Sequence, residues 1–162
     1  MKTISLLGVL LVAVFCMQLP NARAEYGPEE KQIGVGVYMG EPMGLTGKFY
    51  LAEKTALQGV AAWSFFDEAF TVIGDFLFNV HDLAESSSDY SMPVYVGVGA
   101  KFVAENSNAN NDSTFGLHVP IGIAWQSTDA PIEIAFEIAP GLHLAPESKF
   151  DINGGIAFRY YF

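Results

Sequence analysis

Three histidines and seven charged strand residues are the side chains here that could do chemistry. His81, His118 and His143 are the only histidines. A hydrolytic site would pair one of them with a serine and an orienting acid. No serine lies two residues from any of them, and His143 alone sits near a turn that carries one, Ser148. His81 and Asp82 are adjacent, and adjacent strand residues point to opposite faces, so they cannot share a metal on one strand. The alternate glycines of "GVGVYMG" open no helix and make no nucleotide loop. We therefore expect no catalytic residue, no cofactor and no metal.

The seven charged residues are Lys48, Asp75, Lys101, Glu133, Glu137, Asp151 and Arg159. Each falls on the polar face of an alternating stretch. In "IEIAFEIA", Ile132, Ile134, Phe136 and Ile138 share one face, with Glu133 and Glu137 on the other. In "PVYVGVGAKF", Val94, Val96, Val98 and Phe102 oppose Tyr95 and Lys101. In "TFGLHVPIGIAWQ", Phe115, Leu117, Val119, Ile121, Ile123 and Trp125 oppose Thr114, His118 and Ala124. The polar face carries small residues and scattered charges, which suits a tight interior. The other face is continuous Val, Ile, Phe and Leu, which suits lipid.

Eight such strands are expected: Ile33–Gly40, Leu45–Ala52, Ala56–Phe66, Phe70–His81, Pro93–Glu105, Thr114–Gln126, Ile132–Leu144 and Phe150–Phe162. The connections between them are rich in Pro, Asn, Asp, Ser and Gly. Many of these strands exceed the roughly 5–6 residues usual in soluble proteins and suit the roughly 9–11 that cross a membrane. The pattern gives an all-β fold: an eight-stranded antiparallel up-and-down transmembrane β-barrel. Alternation also puts Tyr50, Asn79, His81, Tyr95 and His118 inside. The hairpin near Pro146 brings Glu133 opposite Arg159, so an ion pair is expected there. A soluble lipocalin-like periplasmic carrier is the alternative, with the same apolar faces turned inward around a ligand.

Residues 1–24 read as a cleaved signal peptide. Lys2 precedes the apolar run Ile4 to Leu19, and Ala22-Arg23-Ala24 forms an A-x-A cleavage site. Cys16, the only cysteine, leaves with it, so no disulfide is expected. Residues 25–162 form one barrel domain. All eighteen acidic residues but six of the eight basic ones lie there, for a formal charge of −12. So acidic a chain suits no nucleic acid, whose phosphates need Lys and Arg.

The stretches "GEPMGLTGKFYL", "GDFLFNVHDL", "HVPIGIAW", "DAPIEIAFEIAPGLHLAPE" and "FDINGGIAFRYYF" together resemble a family of small bacterial outer-membrane barrels. The family usually has Thr where Met43 stands and Arg where His118 stands. The resemblance implies an eight-stranded barrel like the membrane domain of OmpA or OmpX, in the outer membrane of a diderm (Gram-negative) bacterium. It implies no activity. Phe158, Tyr160 and Phe162 resemble the C-terminal signal read by barrel-assembly machinery.

With both termini periplasmic, "EPMG", "DEA", "NSNANNDS" and "APES" face outside, and the longest connection, Asp82 to Met92, faces the periplasm. The expected partners are outer-membrane lipid and lipopolysaccharide, the assembly machinery, and an external partner at the Glu105–Ser113 loop. The expected role is structural or surface interaction around a closed, salt-bridged lumen. The alternatives are a narrow solute channel and a lipid-modifying enzyme.

Overall fold

A computed structural model describes residues 27–64, 69–84, 89–105 and 113–162. The proposed signal peptide, and residues 106–112 of the polar loop, lie outside them. The described chain is all β apart from one turn of 3₁₀ helix, Pro28–Glu30. Its strands are β1 (Ile33–Glu41), β2 (Met43–Ala52), β3 (Thr55–Ser64), β4 (Ala69–Asp82), β5 (Pro93–Glu105), β6 in two segments (Ser113–His118 and Ile121–Ser127), β7 (Ile132–Ala145) and β8 (Lys149–Tyr161). A two-residue strand, Tyr90–Ser91, pairs with the end of β6. Each strand runs antiparallel to its neighbour in sequence, and β1 pairs with β8 from Gly34↔Tyr161 to Glu41↔Gly154. The sheet is therefore a closed eight-stranded barrel with no free edge. Both ends of the described chain lie at one end of it, called the terminal end below.

β6 is not the continuous strand expected from residues 114–126. It is interrupted at Val119 and Pro120. Pro120 has no N–H to give the ladder, and its partner in register, on β7, is next to Pro140, which also lacks one. The remaining groups still pair: Val119 N–H donates to Pro140 O at 2.9 Å, and Gly97 N–H donates to Pro120 O at 2.8 Å. The register is the same on both sides of the break, His118↔Gly141 before it and Ile121↔Ile138 after it. The faces therefore do not change over, and His118 and Ala124 both stay inside.

The terminal end of β4 differs from strict alternation in a way that moves a residue. The register shifts between Asn79 and His81, so Val80 is an extra residue. His81 then pairs with the outward Val94, and Asp82 pairs with the buried Pro93. The inward position expected for His81 is corrected: the bulge takes it out of the inward row of β4 and leaves it exposed at the rim. Asp82 accepts hydrogen bonds from Ser91 Oγ and from the N–H groups of Ala84 and Met92, which pins the longest connection.

Elsewhere the alternation of faces holds. Large apolar side chains on every strand point outward, among them Val37, Leu45, Leu57, Val72, Val98, Leu117, Phe136 and Phe158. The inward positions are mostly polar, aromatic or very small, with Val60 and Leu77 as buried aliphatic exceptions. β1 shows why small residues are needed. Gly34 lies between Lys48 and Tyr161 in register, and Gly36 between Thr46 and Arg159. A Cβ on Gly34 would stand 2.7 Å from the Tyr161 ring. The glycines of "IGVGV" are thus the space that the long side chains of β2 and β8 fill. On the outer face Gly74 has nothing within 4 Å of a built Cβ.

Gly34→Val should therefore overpack the lumen and cost about 1–3 kcal/mol, while Gly74→Val should leave stability nearly unchanged. Denaturant unfolding of the two variants reads the difference. Equal losses would mean that the β1 glycines are not there to make room.

Candidate functional site

The lumen of the barrel is a plug of hydrogen-bonded polar side chains. At its centre is Glu133, near the start of β7 and 1% exposed. Its Oε1 accepts from Arg159 Nη1 at 2.6 Å, and its Oε2 accepts from Lys48 Nζ at 3.0 Å. Gln126 Nε2 (2.6 Å) and Tyr161 Oη (3.1 Å) also donate to Oε2. Glu133 and Arg159 are direct cross-strand partners. Lys48 comes from β2, so this one carboxylate ties β7, β8 and β2 together across the strand that closes the barrel. The ammonium of Lys48 also lies 4.9 Å and 5.3 Å from the ring centroids of Tyr50 and Tyr95.

From Arg159 the network runs on into the lumen. Arg159 Nε and Nη2 donate to Thr46 Oγ1, and Nη2 donates to Gln58 Oε1 at 2.6 Å. Gln58 turns its amide the other way, donating to Asp75 Oδ2 (3.1 Å) and to Glu137 Oε2 (3.0 Å). Tyr95 Oη donates to the same Glu137 oxygen at 2.9 Å. Asp75 Oδ1 meets His118 Nε2 at 2.6 Å. Every strand from β2 to β8 supplies at least one member. Buried polar groups need partners, and most here find them in each other; His118 Nδ1 is buried without one.

The seven charged residues expected in the lumen are all on its side of the wall, but they form two groups. Lys48, Glu133, Arg159, Asp75 and Glu137 make the plug. Lys101 and Asp151 pair separately toward the far end. Asn153 Nδ2 donates to Asp151 at 2.8 Å, and His143 Nε2 stands 3.3 Å from it without hydrogen-bond geometry. Phe158, Tyr160 and Phe162 point outward, Tyr160 and Phe162 with their ring centroids 5.0 Å apart.

The linkers Thr46, Gln58 and Gln126 were not singled out from the sequence. Their signal was there: each sits at an inward position of its strand. What a sequence does not show is which inward residues meet across the lumen.

An open vestibule lies at each end of the plug. The one at the terminal end has a volume of about 810 Å³ and is lined by Tyr50, His81, Asp82 and Gln126, with Pro28–Glu30 at its mouth. The one at the far end, about 860 Å³, is lined by Thr71, Lys101, His143, Lys149 and Asp151. Neither wall includes Glu133, Arg159, Asp75 or His118.

His118 and Asp75 form an acid–base pair, but no hydroxyl bonds to His118 among the described residues. Nor, among them, does any group of three or more His, Cys, Asp or Glu gather as a metal site.

Glu133→Ala should cost about 3–5 kcal/mol, because it leaves Lys48 and Arg159 buried without their carboxylate. Arg159→Ala should cost less than the two single losses added when combined with it, since the two residues share one interaction. Denaturant unfolding of the single and double variants checks both. Additive losses would mean that the pair is not coupled. No family model, no curated protein and no solved structure matches this chain.

Proposed function

We propose that the chain is a small outer-membrane barrel of structural or surface-interaction type, its lumen sealed at neutral pH. The observation that carries this reading is the sorting of side chains by face. The barrel wall presents large apolar side chains outward on all eight strands, with Phe136 55%, Ile138 59% and Val98 60% exposed. A water-facing surface rarely carries so large a contiguous apolar area. A closed barrel is also one of the only two forms of backbone that can cross hydrocarbon. Lys48, Arg159, Glu133, Lys101 and Asp151 are inside, where they are paired.

Aromatic pairs at both ends add support. Trp63 and Phe70 lie 5.2 Å apart at the far end, and Tyr160 and Phe162 lie at the terminal end. Rings at such positions suit the two interfaces of a bilayer. The soluble-carrier alternative needs the large apolar side chains inside around a ligand, and here they are outside. The channel alternative is favoured by the two vestibules, which leave only the plug between them. A lipid-modifying enzyme would need a nucleophile beside His118 or His143, so His118→Ala or His143→Ala should abolish such activity if it exists.

The proposed partners are outer-membrane lipid and lipopolysaccharide around the wall, and assembly machinery at the last strand. The apolar Phe162 is 67% exposed at the end of that strand. The external loop at residues 105–113 is the proposed contact for a surface partner.

The protein should need detergent for extraction, and its folded form should migrate differently from the boiled form on a gel. Release with the periplasmic fraction without detergent would overturn the reading. Deleting Phe162 should lower the folded, membrane-inserted fraction severalfold while export continues. Normal insertion of the truncated chain would remove the assembly role of the C-terminus. In planar bilayers at neutral pH no steady conductance steps are expected, and their presence would favour the channel.

A further inference from the structure

The plug contains two cations and three carboxylates. Lys48 and Arg159 are both used by Glu133. Asp75 and Glu137 are left, and one amide, Gln58 Nε2, donates to both of them. Two carboxylates sharing one donor in a water-poor space cannot both stay ionised without a further positive charge. Among the described residues, the only basic group in contact with either is His118, on Asp75.

From these groups we infer that Asp75, His118 and Glu137 form a proton-binding site that holds one proton at neutral pH and keeps the lumen sealed. The bound proton brings the plug to neutrality. It is shared within the cluster, as expected for ionisable groups this strongly coupled. On its loss, Asp75 and Glu137 repel across Gln58, and the plug becomes a weak barrier between two water-filled vestibules. This inference takes its setting from the membrane reading above. It deepens that reading by giving the lumen a control.

Among the described residues, no other charged group around the cluster supplies the missing charge. β1 contributes the phenol of Tyr38 and β5 that of Tyr95, both neutral, and Tyr95 Oη donates to Glu137. Lys101, one step up β5, is bound to Asp151 of β8, with His143 of β7 beside it. Lys48 of β2 and Arg159 of β8 are held by Glu133, and Arg159 is hydrogen-bonded to the cluster only through the neutral Gln58. Gly99 makes the room: a Cβ on it would meet Asp75 Oδ1 and stand 2.8 Å from His118 Nε2.

The sign of the pH dependence follows from the count of protons. In the unfolded chain His118 loses its proton near the usual histidine value of about 6.5, and both acids are already ionised. Above that pH the folded barrel holds one proton more than the unfolded chain. The folding equilibrium constant then falls about tenfold per pH unit, until the folded site releases its proton. Glu137→Gln removes the surplus negative charge and the need for the proton, so its stability should be flat over the same range.

The test is denaturant unfolding of the wild type and Glu137→Gln, refolded in detergent micelles, between pH 6.5 and 9.5. A falling wild type beside a flat variant is the expected result. A flat wild type, or a variant that falls in parallel with it, overturns the site. If Glu137→Gln does not fold, Asp75→Asn removes the same charge and is read the same way.

Planar-bilayer recording then tests the seal. Conductance steps should appear in the wild type at pH 9.5 and not at pH 6.5, and should be absent from the variant at both. Wild-type recordings that do not change with pH, or a variant that opens at pH 9.5, overturn the sealing role. Insertion is scored separately by heat-modifiable migration. A barrel that does not insert counts against the membrane reading and against the seal, while the unfolding profile still decides the proton site.

Discussion

The carboxylate of Glu133, held between Lys48 and Arg159, is the interaction on which the rest of the lumen depends. Taking three charges out of water costs several kcal/mol for each. The cost is offset only if the partners are close and the remaining lone pairs are filled. Both conditions are met: Glu133 receives two cations, an amide and a phenol. The cluster therefore requires β2, β6, β7 and β8 to stand at one relative height. It acts as a register lock, because a slip of one residue on any of these strands would turn a charge, or on β6 the amide of Gln126, toward the apolar outside. The lock spans β1, the strand at which the sheet closes, and β1 takes part by contributing no side chain at that level.

The small residues follow from the same constraint. An eight-stranded barrel leaves an interior just wide enough for side chains to fill. Arg159, Lys48 and Tyr161 are all long, so neighbouring inward positions must be nearly empty. Gly34 and Gly36 meet that need beside them, and Gly122 meets it under the ring of Tyr95. The composition of the wall is thus set by the volume of a few polar side chains, and the alternation of glycine with large apolar residues is its visible trace.

That trace is why the wall was legible in the sequence. With a period of two, Ile132 to Ala139 and Val94 to Phe102 show their faces without any knowledge of their neighbours. Hairpin turns extend this to adjacent strands, as for Glu133 and Arg159. Beyond nearest neighbours the pattern carries no information. Lys48 and Glu133 are 85 residues apart, and their meeting depends on the stagger of the whole barrel. The same holds for Gln58, whose position predicts that it points inward but not that it joins Arg159 to Asp75 and Glu137. The two local misreadings have local causes. Pro120 removes a donor without changing the face. The extra residue at Val80 changes the face of His81 without removing a strand.

His118 joins these points. Its ring meets Asp75 at 2.6 Å, and an arginine in its place would be a permanent cation beside that carboxylate. Two cations against three carboxylates would become three against three, with no proton needed. Histidine gives the same neutrality only while a proton is bound. The difference between the two side chains is therefore a difference in condition and not in place. A lumen that an arginine would keep neutral at neutral and alkaline pH becomes, with His118, one whose neutrality there depends on a bound proton. His118 is thus the position at which the barrel's charge balance is left open.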